Sequence, residues 1–363
     1  MNKEKTVRGL VALLVLLAGA VIANAQNRPA TETTVTLIQA HNNFVVGEEV
    51  FIYAVPEKLG FFKEENLKVN IVNSPGGSVA AQALQAGSAQ FATTQPEIII
   101  KTREQGGKIL GYYNLKTRGS YAIAVPEDSP IKTLGDMKGK TLGVSSLSSG
   151  AIPIIVESLV DAGVAKTDFT AVAAGVGAQA ATALRTKRVD ALGLWDSAYG
   201  AIENLGVKMR YIDLPLISKL ASFALATSDK FMTDNPQAVE GFCRAIAKGW
   251  VFTLENPEAA IRIFHEVFPQ TRNSSLSENE AVAQDVHVLN KWLASGVAGQ
   301  RPGFGYGYNY PDQWEFTSDY FKKQGMLEGK LPAKEAFTNK FIDGCNKFDV
   351  KAIKAAAQNY KKG

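Results

Sequence analysis

Short apolar runs of strand length alternate with helix-length runs through the first two thirds of the chain. Val35–Gln39, Leu67–Val72, Ala89–Thr94 and Ile109–Asn114 read as strands, and Gly47–Tyr53 reads as another. Between them Ala54–Phe62 is predicted as a helix ending near Gly60. A second helix opens at Asn73–Ser78 and runs through Ala86 with Gly87 as its stop, and Gln95-Pro96 opens a third that reaches Gln105. The order then recurs. Strand Lys140–Val144, helix Pro153–Ala162, strand Thr170–Ala174, helix Ala178–Thr186, strand Asp190–Leu194, helix Ala198–Leu205 and strand Lys208–Asp213 follow one another. Strands alternating with helices predict parallel sheets in an α/β fold.

From Asp234 the pattern turns helical. Asn235-Pro236 opens Gln237–Leu254, Asn256-Pro257 opens Glu258–Val267, and Glu278–Ser295 and Gln313–Gln324 follow. Between the last two lies a glycine-aromatic loop, Arg301–Tyr310, and a polar, Lys-rich tail, Val350–Gly363, closes the chain. The two α/β halves align at a constant offset of 100 positions, which carries Leu184 to Leu84, Gly177 to Gly77 and Val172 to Val72. The shared order of turn, helix, strand and loop implies two similar lobes rather than a repeat array.

Length agrees, since 363 residues exceed one ordinary core. The amino end is set apart. Lys3, Lys5 and Arg8 precede an apolar run, Leu10–Ile22, and then Ala23-Asn24-Ala25, the pattern of a secretory signal peptide cleaved after Ala25. No cysteine stands beside that point, so a lipid anchor is not expected. Residues 1–25 carry three basic groups and one acid, so the remainder is about +2 (4 − 2), no footprint for nucleic acid. Export permits Cys243 and Cys345 to pair, but Cys243 lies in a helical run where a free buried thiol fits equally well.

Catalytic signals are missing. Gly143-Val144-Ser145-Ser146-Leu147 fails the G-x-S-x-G elbow at its last position, and Gly303–Gly307 leads into no strand-to-helix turn for a dinucleotide. His41, His265 and His287 stand apart, without a metal-binding spacing, and no cofactor is expected. Ligand-binding signals are better placed. In a parallel sheet a ligand lies beyond the carboxyl ends of the strands, at the loops that open helices. The candidates there are Gly76, Gly77 and Ser78; Thr93, Thr94 and Gln95; Ser145, Ser146, Ser148 and Ser149; Gly175 and Gly177; and Trp195 and Asp196. Each polar member also suits an ordinary helix cap. Trp195 fits stacking on a planar ligand or filling the core, and Arg118 fits a bidentate clamp on a carboxylate or sulfonate or a solvated surface charge. Phe304, Tyr306 and Tyr308 read as loop packing.

One stretch carries a family resemblance. Asp128-Ser129-Pro130-Ile131, then Leu134-Gly135-Asp136-Met137-Lys138-Gly139-Lys140 and Gly143-Val144, resembles a signature of the solute-binding proteins of ABC transporters. Gly60-Phe61-Phe62-Lys63-Glu64, Ala83-Leu84-Gln85-Ala86-Gly87 and Val189-Asp190-Ala191 resemble further blocks, with Lys187 where a glycine is usual. The nearest branch takes sulfonates, nitrate, taurine and thiamine-pyrimidine precursors. The resemblance spans about Val35–Asp343 and implies the type II periplasmic-binding-protein fold: two α/β lobes with mostly parallel sheets, joined by crossings near Lys116–Ser120 and Ala221–Ala226. It divides the chain into lobe I (26–118), lobe II (119–222) and a return to lobe I with extra helices (223–363). It implies a periplasmic monomer that captures a small-molecule solute for an inner-membrane permease, with no chemistry of its own. A pyrimidine synthase of the same fold is the enzymatic alternative, but that enzyme carries a cysteine-rich, iron-binding motif that is absent here. A sensor presenting the solute to a membrane receptor is the other.

Overall fold

The computed structural model describes residues 32–147, Ser149 and residues 151–360. The signal segment expected at residues 1–25, and Ser148, lie outside the described residues. Strands β1 (Thr33–Gln39), β2 (Leu67–Asn73), β3 (Phe91–Thr94) and β4 (Ile109–Lys116) come first. Strands β5 (Tyr121–Pro126), β6 (Thr141–Val144), β7 (Thr170–Ala173), β8 (Ala191–Trp195), β9 (Met209–Ile212) and β10 (Phe223–Ser228) follow. They form two five-stranded sheets, ordered β2-β1-β3-β10-β4 and β7-β6-β8-β5-β9.

The two sheets are built alike. In each, four strands run in one direction and one runs against them: β10 between β3 and β4, β5 between β8 and β9. The chain passes from β4 to β5 through residues 117–120, and from β9 back to β10 through residues 213–222. The first sheet is therefore assembled from two separate parts of the chain, and each sheet with its helices makes one lobe. Helices α1 (Gly77–Ala86), α2 (Pro96–Glu104), α3 (Ala151–Asp161), α4 (Ala178–Arg185) and α5 (Asp196–Glu203) follow β2, β3, β6, β7 and β8. Gly87, at φ 74°, stops α1 in the left-handed conformation that favours glycine.

The later helices are α6 (Pro236–Glu255), α7 (Pro257–Val267), α8 (Glu278–Ala298), α9 (Pro311–Lys323) and α10 (Val350–Gln358). Two of them tie the lobes together. From α8, His287 Nε2 meets Glu203 Oε2 of α5 at 2.6 Å and Lys291 Nζ meets Glu203 Oε1 at 2.8 Å. On α9, Trp314 lies under Gly111 of β4, while the Tyr320 hydroxyl donates to Pro153 O of α3 at 2.8 Å. Gln313 Nε2 donates to Thr117 O at 3.1 Å and to Ser218 O at 3.2 Å, so one amide touches both crossings. Among the described residues no helix is long and apolar enough to cross a membrane.

Four expectations change. Gly47–Tyr53 is not a strand: Val50–Ala54 forms a π-helical turn that continues as the helix Val55–Lys58. Val50, Phe51, Ile52 and Ala54 are all buried, and a short apolar run buried on every side has no period to separate strand from helix. The helix expected over 54–62 is broken at Gly60 into Val55–Lys58 and Phe61–Glu64. Strand β5 went unread because Ile123, Ala124 and Val125 are buried in succession, as befits a central strand without alternation. The closing tail is helical over α10, where Asp349 accepts from Lys351 N at 2.9 Å and from Ala352 N at 3.1 Å.

The cysteine alternatives resolve to a disulfide. Cys243 on α6 is bonded to Cys345, with Cα atoms 5.2 Å apart, across a separation of 102 residues. It fastens the short helix Ile342–Cys345 to the helix at the centre of the lobe I core. Closing so long a loop restrains the unfolded chain strongly, and removal typically costs about 2–5 kcal/mol. Urea unfolding of the C243S/C345S variant should show a loss in that range. An unchanged midpoint would mean that the bond adds nothing to stability.

Candidate functional site

Several helices open at the carboxyl ends of the parallel strands, and for four of them the residue before the helix supplies no cap. Helices α1, α2, α4 and α5 begin after Gly76, Gln95, Gly177 and Trp195, and none of these residues accepts a hydrogen bond from the first turn. Elsewhere in the chain Asn256, Ser277 and Asp349 cap α7, α8 and α10. A bare helix start leaves backbone N–H groups seeking acceptors and carries the positive end of the helix dipole. Gly177, at φ 56°, shapes the turn into α4.

On lobe I the predicted residues come together. Thr93 and Thr94 are fully buried; Thr93 Oγ1 accepts from Ala40 N at 3.0 Å, and Thr94 Oγ1 donates to Gly77 O at 3.2 Å. A Cβ at Gly77 would strike Thr94 Oγ1 and Gln95 Oε1, so glycine lets these two loops approach. Gln95 Oε1 is buried and has no hydrogen-bond partner, and Gln39 Oε1 at the end of β1 shares that condition. Ser78 is exposed on the first turn of α1.

On lobe II the serines divide. Ser145, half-buried, and Gly175 line an open groove of about 690 Å³ beside Gln179 and Thr182. Ser146 is exposed. Ser149 serves the helix instead, its Oγ accepting from Ala151 N at 3.3 Å at the start of α3. Trp195 is half-buried against Tyr121, its register partner on β5.

The crossings hold the charged candidates, and there the charges satisfy one another. Asp196 Oδ2 accepts from Lys116 Nζ at 2.6 Å and from the Ser295 hydroxyl, and Oδ1 accepts from Ser197 N at 2.7 Å. Its carboxylate is engaged within the protein, with one oxygen on the first turn of its own helix and the other on Lys116 and Ser295. The Lys116 side chain, only 3% exposed, lies 4.3 Å from the centre of the Trp292 ring. Arg118 pairs with the exposed Asp213 at 3.1 Å, linking the first crossing to the second rather than clamping an anion. The glycine-aromatic loop packs behind the hinge, as expected: Gly307 O accepts from Asn114 N at 2.7 Å, and a side chain at Gly307 would strike the Tyr113 ring.

The sequence reading passed over a group beside the lobe I loops. His41, two residues past β1, hydrogen-bonds Glu48 through Nε2 at 2.6 Å, and its ring meets Phe223 edge-on at 6.2 Å. Glu49 is fully buried, and neither of its carboxylate oxygens has a hydrogen-bond partner. The available signal was an acidic pair set directly before an entirely apolar run. Burial opposes the charge on His41, but Glu48 outweighs it and raises the imidazole from 6.5 to about 9. Burial likewise opposes ionisation of Glu48, yet His41 draws its pKa below the ordinary 4.5. Burial and then the neighbouring Glu48 push Glu49 up to about 8.

The NMT1/THI5 like family matches residues 49–260. The chain belongs to that family. Among its relatives, the riboflavin-binding protein RibY of Chloroflexus aurantiacus is 24% identical over 324 residues, covering 89% of this chain and 90% of RibY. The 4-amino-5-hydroxymethyl-2-methylpyrimidine phosphate synthase of Legionella pneumophila is 19% identical over 310 residues, covering 84% and 92%. The fold matches the periplasmic aliphatic sulphonate binding protein SsuA from Escherichia coli with a TM-score of 0.62 at 17% identity, over 84% of this chain and 91% of SsuA. The fold is that of the periplasmic binding proteins. This member of the NMT1/THI5 like family thus shares a fold with binding proteins and has relatives among both binders and an enzyme.

The acidic pair and His41 make stability depend on pH. Folded His41 holds a proton between about pH 6.5 and 9 that the unfolded chain has released, and folded Glu49 does so between about 4.5 and 8. Folding therefore binds protons across this window, and stability falls as pH rises through it. The Glu48 contribution has the opposite sign, present above about 4.5 and lost in acid. In EDTA, the free energy of unfolding should decline from pH 6.5 to 8 by no more than about 1.4 kcal/mol per pH unit for each proton. Glu49→Gln should make that decline shallower, and equal slopes in both proteins would exclude Glu49 as a source.

Proposed function

We propose that this protein is the solute-binding component of an ABC importer. It is exported to the periplasm, closes its lobes over a small planar organic solute and passes that solute to a membrane permease. The observation that carries the reading is the set of helix starts at the carboxyl ends of the strands left without a side-chain cap, α1 and α2 on one lobe and α4 on the other. They offer N–H donors to carbonyl, carboxylate or sulfonate oxygens. The unpartnered oxygens of Gln39 and Gln95 ask for a donor in return. An edge that both accepts and donates, on a flat ring able to stack on Trp195, describes a nitrogen heterocycle better than an inorganic anion. RibY, named as a riboflavin-binding protein, supports that class.

The enzymatic alternative finds less support. A cysteine-rich metal motif has no counterpart here, because the chain has two cysteines and they are bonded to each other. A sensing role would use the same cleft, and the genes beside this one separate it from transport by encoding a permease and ATPase or a kinase.

Thermal unfolding of residues 26–363 with riboflavin, substituted pyrimidines, alkanesulfonates, aromatic carboxylates and nitrate tests the reading. One heterocycle, at about 100 times its Kd, should add roughly 2.7 kcal/mol of stability. Stabilisation by a sulfonate alone would move the ligand class, and no shift across the panel would overturn the receptor reading. Ser145→Ala should weaken binding of the stabilising solute by roughly 1 kcal/mol, one hydrogen bond, with an unchanged melting temperature. Loss of stability with affinity intact would return Ser145 to a purely structural role.

A further inference from the structure

We propose that His41, Glu48 and Glu49 form a site for a single divalent transition-metal ion, of which zinc is the best fit, at the edge of the cleft on lobe I. One ligand atom from each residue lies within 4.8 Å of the others. The independent pointer is Glu49. Its side chain has no exposed surface and no close hydrogen bond to either oxygen, although the backbone N–H groups of Val45 and Glu49 lie near it, and a cation held between it and its neighbours would satisfy those oxygens. The cationic side chain that acts on it is His41, itself one of the three ligands. Lys116 acts on Glu48 only across space, and its ammonium is already hydrogen-bonded to Asp196.

The donor set selects the ion. Calcium and magnesium take oxygen ligands, whereas an imidazole nitrogen with two carboxylates suits zinc and its transition-metal neighbours. A tetrahedral zinc with bonds of about 2.0–2.2 Å sets its ligand atoms roughly 3.3 Å apart. The 2.6 Å contact between His41 and Glu48 therefore needs to open by less than about 1 Å to admit it. Three protein ligands leave a fourth position. His41 is the group that reaches the surface, its side chain 39% exposed, whereas Glu48 and Glu49 are buried, so the ion enters from the His41 side. Phe223 and Trp292 wall the group, the indole within 4 Å of any side chain added at Gly47.

Binding displaces protons. The three side chains ligate an ion in their deprotonated forms, so uptake releases protons. The charged and titratable groups facing the site are His41, Glu48, Glu49 and, through space, Lys116.

The test is calorimetric titration of ZnCl2 into EDTA-treated, desalted protein spanning residues 26–363, in two buffers of different ionisation enthalpy, with MgCl2 as the contrast. We expect one zinc per chain, proton release on uptake and no magnesium heat. Glu49→Gln and His41→Gln should each weaken zinc by at least about tenfold while keeping the circular dichroism of the parent. Zinc that binds the variants as tightly as the parent sits elsewhere, at His265–Asp285 or His287–Glu203 for instance, and overturns the proposal. So does the absence of zinc binding to the parent. Should Glu49→Gln fail to fold, His41→Gln, altered at a partly exposed residue, decides alone. The solute panel run in EDTA keeps the two readings apart, because a heterocycle that binds without metal leaves the receptor function standing whatever zinc does.

Discussion

The ion pair between Lys116 and Asp196 sits where the two lobes meet. Lys116 is the last residue of β4, and Asp196 is the first residue of α5, which follows β8 of the other sheet. Their side chains are 3% and 13% exposed, and α8 closes over them with Ser295 and the Trp292 ring. Three separate parts of the chain thus converge on one desolvated charge pair. Such a pair adds little stability over an apolar substitute, yet losing one partner strands the other charge at a cost of about 3–5 kcal/mol. What it supplies is a contact between the end of β4 in one sheet and the start of α5, which follows β8 of the other.

Around that contact the sequence spends its capping residues unevenly. Among the later helices, α7, α8 and α10 are capped by Asn256, Ser277 and Asp349, whereas α6 and α9 have no side-chain cap. At the strand ends α1, α2, α4 and α5 follow glycine, glutamine or tryptophan, none of which caps them, while Ser149 serves α3. A missing cap typically costs about 1 kcal/mol of helix stability. Repeated on both lobes, that omission leaves helix N–H groups without a side-chain acceptor at the carboxyl ends of both sheets.

Most of the architecture was legible because α/β alternation writes itself into the sequence as runs and stops. The glycine after α1, the prolines at the starts of α2, α6 and α7, and the order of the first four strands all lay within a residue or two of their final places. What was hidden is instructive. Val50, Phe51 and Ile52 are buried in succession, as are Ile123, Ala124 and Val125, so neither segment shows the period that would name it. At the site, loop positions were readable, but partners were not. Asp196 and Arg118 are engaged by Lys116 and Asp213, and no spacing rule connects residues 80 or 95 positions apart. His41, Glu48 and Glu49 are close in sequence, yet only the unusual turn after Glu49 folds their side chains together.

The crossing topology also orders events in time. All strands of the second sheet lie between Tyr121 and Ile212, so that lobe is complete as soon as this one segment is available. The first sheet is not. Strand β10 must wedge between β3 and β4, pairing Ala224 with Thr94 and Asn114, more than a hundred residues away in both cases. Until residues beyond Ser228 are present, β3 and β4 remain two unjoined edges with their ladder groups unpaired. Non-local pairing of this kind makes folding slow, because the loop must close before any contact rewards it. A chain built in this way holds back half of its own structure until the return segment has joined it.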